Sequence, residues 1–255
     1  MPYEHLSLRD EGDFAVLTMR RPERRNALSE AHLRELQDAL GHVARSRARG
    51  LVLAAEGPVF SAGHDFADMQ GRDLESMRSL LFVCSGVMQA LQALPQPAIA
   101  QVEGLATAAG CQLVAACDLA VAGESARFQA PGGRGGWFCT TPGVALARAV
   151  GRKRALEMLL TGDPIDARTA CEWGLVNRVV PDADVAQETR ALLTRATRGS
   201  VRSKALGKQA FHRQVDLDLA GAYAYATEVM AAASQTPDAQ ENLRAFLEKR
   251  PPRFR

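Results

Sequence analysis

The chain has 255 residues, of which 47% are hydrophobic and 24% charged, and a formal net charge of +2. That length suits one large core with an appendage better than two equal domains, and the composition is that of an ordinary soluble globular protein. Near-neutral charge gives no general footing for nucleic acid or an anionic membrane, so any anion site has to be local.

Five cysteines, Cys84, Cys111, Cys117, Cys139 and Cys171, sit mostly inside apolar runs. They have neither the paired spacing of a zinc site nor the density of a disulfide scaffold, which predicts reduced thiols and no metal. Met1-Pro2-Tyr3-Glu4-His5 has the character of neither a signal nor a transit peptide, and no apolar run is long enough to span a bilayer. A soluble, cytoplasmic chain is the expectation.

Leu6 to Glu11 and Phe14 to Met19 alternate around Gly12-Asp13, a hairpin signal. After the basic run Arg20-Arg21-Pro22-Glu23-Arg24-Arg25, Ser29 is placed to cap an amphipathic helix from Glu30 to about Arg47. The arginines suit either a solvated loop or a phosphate contact. Gly50 to Ala55 has the pattern of a buried strand, and the small residues after it end in Gly63-His64-Asp65. Helical periodicity runs from about Asp73 to Leu94, where Pro95 and Pro97 stop it.

The stretch from Val102 to Asp118 is the one the rest of the chain is built to present. The apolar run Ala98 to Val102 feeds a Gly, Ala and Thr segment that continues with helical spacing: strand, tight turn, helix. Small residues there admit a group close to the backbone, and the first N–H groups of the helix have no partner within it and carry its positive dipole end. Such a start suits either a helix packed tightly on a sheet or a place where a developing negative oxygen is stabilised.

Asp118 to Ala122 predicts another buried strand, and Phe128 opens a loop in which Gly132, Gly133, Gly135 and Gly136 precede Trp137 and Phe138. No Walker lysine or dinucleotide fingerprint accompanies those glycines, so the loop is expected to be an irregular cleft wall narrowed by Trp137 and Phe138. Helices are predicted from Pro142 to Val150, from Gly151 to about Thr161 and from Asp166 to Trp173, and a strand from Leu175 to Val180. From Asp182 the pattern is helix after helix, at about 183 to 197, 201 to 212, 217 to 233 and 237 to 249. An α/β core finished by an all-helical C-terminal part follows.

Phe60 to Phe66, Gly104 to Asp118, Phe128 to Gly143 and Ala155 to Val176 together resemble the enoyl-CoA hydratase (crotonase) superfamily, and the similarity runs from about residue 5 to the C-terminus. The resemblance implies a ββα spiral core over 1–195 and a helical region over 196–255 that joins subunits into a homotrimer, or a dimer of trimers. It implies an acyl-CoA thioester as ligand, coenzyme A being part of the substrate, with no separate cofactor. Two main-chain N–H groups of the family that hold the thioester oxygen carry over onto His64 and Ala109. Contacts to coenzyme A carry over onto Arg24, Arg25, Ala27, Ala62, His64 and Asp65, and onto Phe246 and Lys249, which would reach a neighbouring subunit's nucleotide.

The departures matter as much. Hydratases of this family use two glutamates to add water across an enoyl double bond; the matching positions here are Gln112 and Gly132. General acid–base catalysis contributes about 10²- to 10⁴-fold in rate, so losing both groups cripples hydration. The run Phe60 to Asp65 also resembles methylmalonyl-CoA decarboxylases of the superfamily, although those keep a glutamate where this chain has Gln112. Three functions follow: an acyl-CoA lyase or isomerase that relies on the oxyanion hole, a decarboxylase of malonyl-type thioesters, and a non-catalytic acyl-CoA-binding protein.

Overall fold

The structure, a computed structural model, describes residues 3–254. Strand β1 (Leu6–Glu11) pairs antiparallel with β2 (Phe14–Met19), and Glu11 stands opposite Phe14 so that Gly12-Asp13 forms the predicted two-residue turn. From β2 onward the large sheet is parallel. Strands β3 (Gly50–Ala55), β4 (Ala98–Val102), β6 (Leu119–Gly123) and β9 (Arg178–Val180) complete the order β1-β2-β3-β4-β6-β9.

Both faces of this sheet are covered, and strand alternation divides the core between them. Leu51 and Leu53 of β3 join one buried cluster with Leu33, Leu36 and Leu40 of α1 (Glu30–Arg45) and Leu80 and Val87 of α3 (Leu74–Ala93). Val52 and Ala54 face the other way, with Val185 and Leu193 of α8 (Val185–Ala196). Ser29 caps α1 by accepting from His32 N, as the sequence predicts, and Asp73 caps α3 by accepting from Ser76 N.

A second sheet of three short strands was not visible in the sequence. It consists of β5 (Leu105–Thr107), β7 (Arg127–Gln129) and β8 (Ile165–Asp166), in the order β5-β7-β8. Strands of two or three residues are too short for alternation to register. The chain therefore coils in repeating units. β4 passes into β5 and then α4 (Ala109–Ala116), and β6 into β7 and, across the Gly-rich loop, α5 (Thr140–Val150). This is the expected ββα spiral. Helix α2 (Phe66–Met69) is a single turn, α6 (Arg152–Thr161) follows α5 directly, and α7 (Ala167–Trp173) is capped by Asp166.

α8 lies on the second face of the sheet, and the proposed division between 195 and 196 falls at its end. Beyond it come α9 (Val201–Gln214), α10 (Leu219–Ser234) and α11 (Pro237–Leu247). These three helices leave Phe211, Leu219, Tyr223, Met230, Leu243 and Phe246 exposed. Among the described residues no helix is long and apolar enough to cross a membrane.

One buried group makes the fold acid-sensitive. His32 has no solvent exposure, its Nδ1 lies 3.3 Å from the Ala27 carbonyl, and burial holds its pKa down to about 4. The unfolded chain takes up this proton near the ordinary histidine value, so between there and pH 4 the unfolded state binds more protons. The stability is present above the unfolded pKa and is lost as pH falls through the window, by about 3 kcal/mol once pH is below the folded value. Urea unfolding at pH 7, 6 and 5 is expected to show that decline, and His32→Gln to show a shallower one. Equal declines would refute the assignment.

Candidate active site

The segment from Ser61 to Asp65 is clamped on both edges. On one side Leu28 forms a parallel bridge to His64: Leu28 N–H donates to the Gly63 carbonyl at 2.8 Å, and Asp65 N–H donates to the Leu28 carbonyl at 3.2 Å. On the other side Ser61 bridges Ala106 of β5, with Ser61 N–H donating to Leu105 O at 3.2 Å and Thr107 N–H to Ser61 O at 3.0 Å. Fully buried Asn26 fixes this arrangement from below. Its Nδ2 donates to the carbonyls of Glu56 and Val59 at 2.9 and 2.8 Å, and its Oδ1 accepts from Arg21 N at 2.8 Å.

A parallel bridge uses the polar groups of residues 63 and 65 and turns those of the residue between them to the opposite edge. His64 N–H accordingly faces the start of α4 and has no acceptor in the described structure. There Ala108 N–H donates to Gln129 O at 2.9 Å, and Ala108 takes the unusual φ of 50° and ψ of −117°, which opens α4 with Ala109. Ala109 N–H, the first of the helix, is also without an acceptor. The two loops touch at Gly63. A Cβ placed there would lie 2.9 Å from Ala108 Cβ and 3.2 Å from Ala109 N, and its φ of +81° suits glycine.

The two amides border a cavity of about 650 Å³. Its wall includes Phe66, Leu81, Thr107, Trp137, Phe138 and Cys139, and among the described residues no carboxylate lines it. Trp137 and Phe138, which the loop pattern places in the cleft wall, line it. His64 contributes its ring as well as its N–H. Both ring nitrogens are buried and unpaired, and burial holds the imidazole below the ordinary value against the smaller upward effects of the Leu28 carbonyl and Asp68, leaving it neutral near pH 7.

The predicted site residues divide into groups. His64, Ala109, Gly132 and Ala62 line the cavity. Gln112 does not; it is 4% exposed, one turn into α4, and its Oε1 has no partner. Asp65 is spent on structure. It caps α2 by accepting from Ala67 N at 3.1 Å, and pairs with Arg21 and Arg24 at 3.4 and 3.3 Å. Arg24 and Arg25 stand exposed at the edge of this clamp, and Ala27 is buried beneath it. Phe246 and Lys249, at the end of α11, are exposed and line no part of this cavity.

Gln129 and Cys139 lie in the loop that the sequence marks as a cleft wall, whereas sequence reasoning missed Thr107 and Leu81 as cavity residues. Thr107 belongs to an unrecognised short strand, and Leu81 to a helix face with no chemical signal. A larger cleft of about 830 Å³ lies elsewhere, between α9 and the ends of β4 and β6. It contains a charge cluster around Asp118 and neither of the two free amides.

The profile of the enoyl-CoA hydratase/isomerase family matches residues 9–255. The chain is 44% identical over 250 residues to enoyl-CoA hydratase domain-containing protein 3, mitochondrial, of Mus musculus, covering 96% of this chain and 83% of that one. Among solved structures, an enoyl-CoA hydratase of Mycobacterium smegmatis superposes with a TM-score of 0.94 at 47% identity, over 98% of both chains. The human enoyl Coenzyme A hydratase domain-containing protein 3 does so with a TM-score of 0.93 at 43% identity, over 98% of this chain and 100% of that one.

Proposed function

The chain belongs to the enoyl-CoA hydratase/isomerase family, and from that premise we propose that it binds an acyl-CoA thioester and stabilises the thioester enolate between the main-chain N–H groups of His64 and Ala109. The observation that carries this reading is the pair of unpaired amides at the edge of a largely apolar cavity. When an enolate forms, charge moves onto the thioester oxygen, and donors already aimed at it lower the barrier without reorganising. Removing one such donor elsewhere costs about 10²- to 10³-fold in rate.

Hydration is not the proposed reaction. Gln112 has no proton to exchange near neutrality, and nothing at residue 132 reaches the substrate. A Cβ at Gly132 would lie 2.2 Å from the Trp137 carbonyl oxygen and 2.7 Å from Cys139 Sγ, so even an engineered glutamate has no room there. The carboxylate-free wall favours decarboxylation of a malonyl-type thioester. The C–C bond to the carboxylate breaks, carbon dioxide leaves, and the electron pair enters the enolate, so no base is required. A carboxylate drawn out of water into this wall is poised to leave.

Coenzyme A is assigned to the edge formed by Arg24, Arg25, Ala27 and Ala62, and Phe246 and Lys249 to a neighbour's nucleotide in a homotrimer or a dimer of trimers. The exposed apolar faces of α9 to α11 support subunit association. A reducing, cytoplasm-like compartment is proposed on five unpaired cysteines; the animal relative is named as a mitochondrial protein.

Incubation with crotonyl-CoA and with methylmalonyl-CoA, followed by absorbance and mass, tests the reading. Loss of carbon dioxide from the second and no hydration of the first is expected. Binding without turnover of either would select a non-catalytic acyl-CoA protein, and absence of binding would end the proposal.

A further inference from the structure

An enolate left by decarboxylation has to be protonated at its α-carbon, and the cavity supplies few donors. Arg134 keeps its proton at any accessible pH and is paired with Asp163 at 3.0 Å. The hydroxyls of Thr107, Thr140 and Thr141 and the indole of Trp137 hold protons far more tightly than a thiol does. His64 is neutral. Cys139 remains.

Its position is specific. Cys139 is 9% exposed, lines the cavity, and accepts a hydrogen bond at Sγ from Gly132 N–H at 3.3 Å, while Sγ donates to no acceptor among the described residues. The thiol occupies the space in which a side chain at residue 132 would begin. Thr107, in the same wall, is also 9% exposed, and its Oγ1 is buried without a hydrogen-bond partner among the described residues. We propose that Cys139 is the proton donor to the α-carbon of the thioester enolate, a role that rests on the acyl-CoA reading above.

The step balances. The S–H bond of Cys139 breaks as a C–H bond forms at the α-carbon, the enolate electron pair becomes that bond, and the carbonyl is restored between His64 and Ala109. Gly132 N–H, already directed at Sγ, stabilises the thiolate until water returns the proton. Burial pushes the Cys139 thiol up despite that N–H, so it enters each cycle protonated. Cys111, which interacts electrostatically with Cys139, is pushed up to about 12 by burial and stays protonated as well.

Decarboxylation of methylmalonyl-CoA in D2O reads out the donor, because a fixed thiol delivers deuterium to one face. The wild type is expected to give 2-deuteriopropionyl-CoA of one configuration. Cys139→Ala should give both configurations. Cys139→Ser, which keeps the volume but offers a weaker acid, should also lose the excess, and guards against misfolding of the alanine variant. A mixed product from the wild type, retained configuration in both variants, or binding of propionyl-CoA without loss of carbon dioxide would each overturn the role of Cys139. Failure to bind propionyl-CoA at all would instead overturn the acyl-CoA reading beneath it.

Discussion

Replacing Asp118 with alanine is expected to cost about 3 to 5 kcal/mol of stability, the usual result of removing one partner from a buried ion pair. Lys208 of α9 has only 9% of its side chain exposed, and its Nζ lies 2.8 Å from Asp118 Oδ2. The same Nζ donates to the carbonyls of Leu91 and Gln96 at 2.9 and 3.0 Å, and Asp118 Oδ2 accepts from Ala98 N at 2.7 Å. His212, one turn further along α9, meets Asp118 Oδ1 at 3.2 Å. Without the carboxylate an ammonium ion stays buried against carbonyl dipoles alone, and the first amide of β4 loses its acceptor. Urea unfolding should show the loss. Lys208→Met in the Asp118→Ala background should recover part of it, because the uncompensated charge is then gone. Equal stability of the single and double variants would show that the charge is not what the alanine variant suffers from. α9 also packs against α10 and α11.

How much of this was legible in the chain depended on the length of the pattern. The parallel strands and long helices announce themselves by sustained periodicity, and Ser29 and Asp73 by the chemistry of helix starts. The small sheet did not, because β5, β7 and β8 are two or three residues each. At the site, a run of Gly, Ala and Thr before a helix signals a close approach to backbone, but which amides are free depends on pairing. Only the bridge between Leu28 and His64 turns the His64 N–H toward Ala109. Asn26 is the clearest omission. It sits among arginines in an apparent surface loop, yet it is fully buried at φ of 50° and ties together three segments of backbone. The loop holding Cys139 was legible as a cleft wall, but not its contact with Gly132, which spans an irregular loop whose course no local rule supplies.

The largest functional effect is expected from Gly63→Ala, a change of one methyl group on a residue that touches no substrate. Alanine at φ of +81° is strained by roughly 1 to 2 kcal/mol. The added Cβ would also meet Ala108 Cβ at 2.9 Å, Thr107 O at 3.0 Å and Ala109 N at 3.2 Å, all parts of the opposing loop. Neither loop can yield alone, because Ser61 to Asp65 is bonded on both edges and Ala108 is held by Gln129 O. Relief therefore comes from parting the two loops, which is the one movement that separates the amides of His64 and Ala109. A donor pair that no longer converges is worth little more than a single donor, so turnover of the thioester should fall by on the order of 100-fold or more. Affinity for free coenzyme A, which has no thioester carbonyl, should be nearly unchanged, and the melting temperature should drop by only about 2 to 8 °C for a chain of this size. Parallel loss of coenzyme A binding and turnover would point to general disruption; full activity in a folded variant would show that the two amides do not act together on the carbonyl.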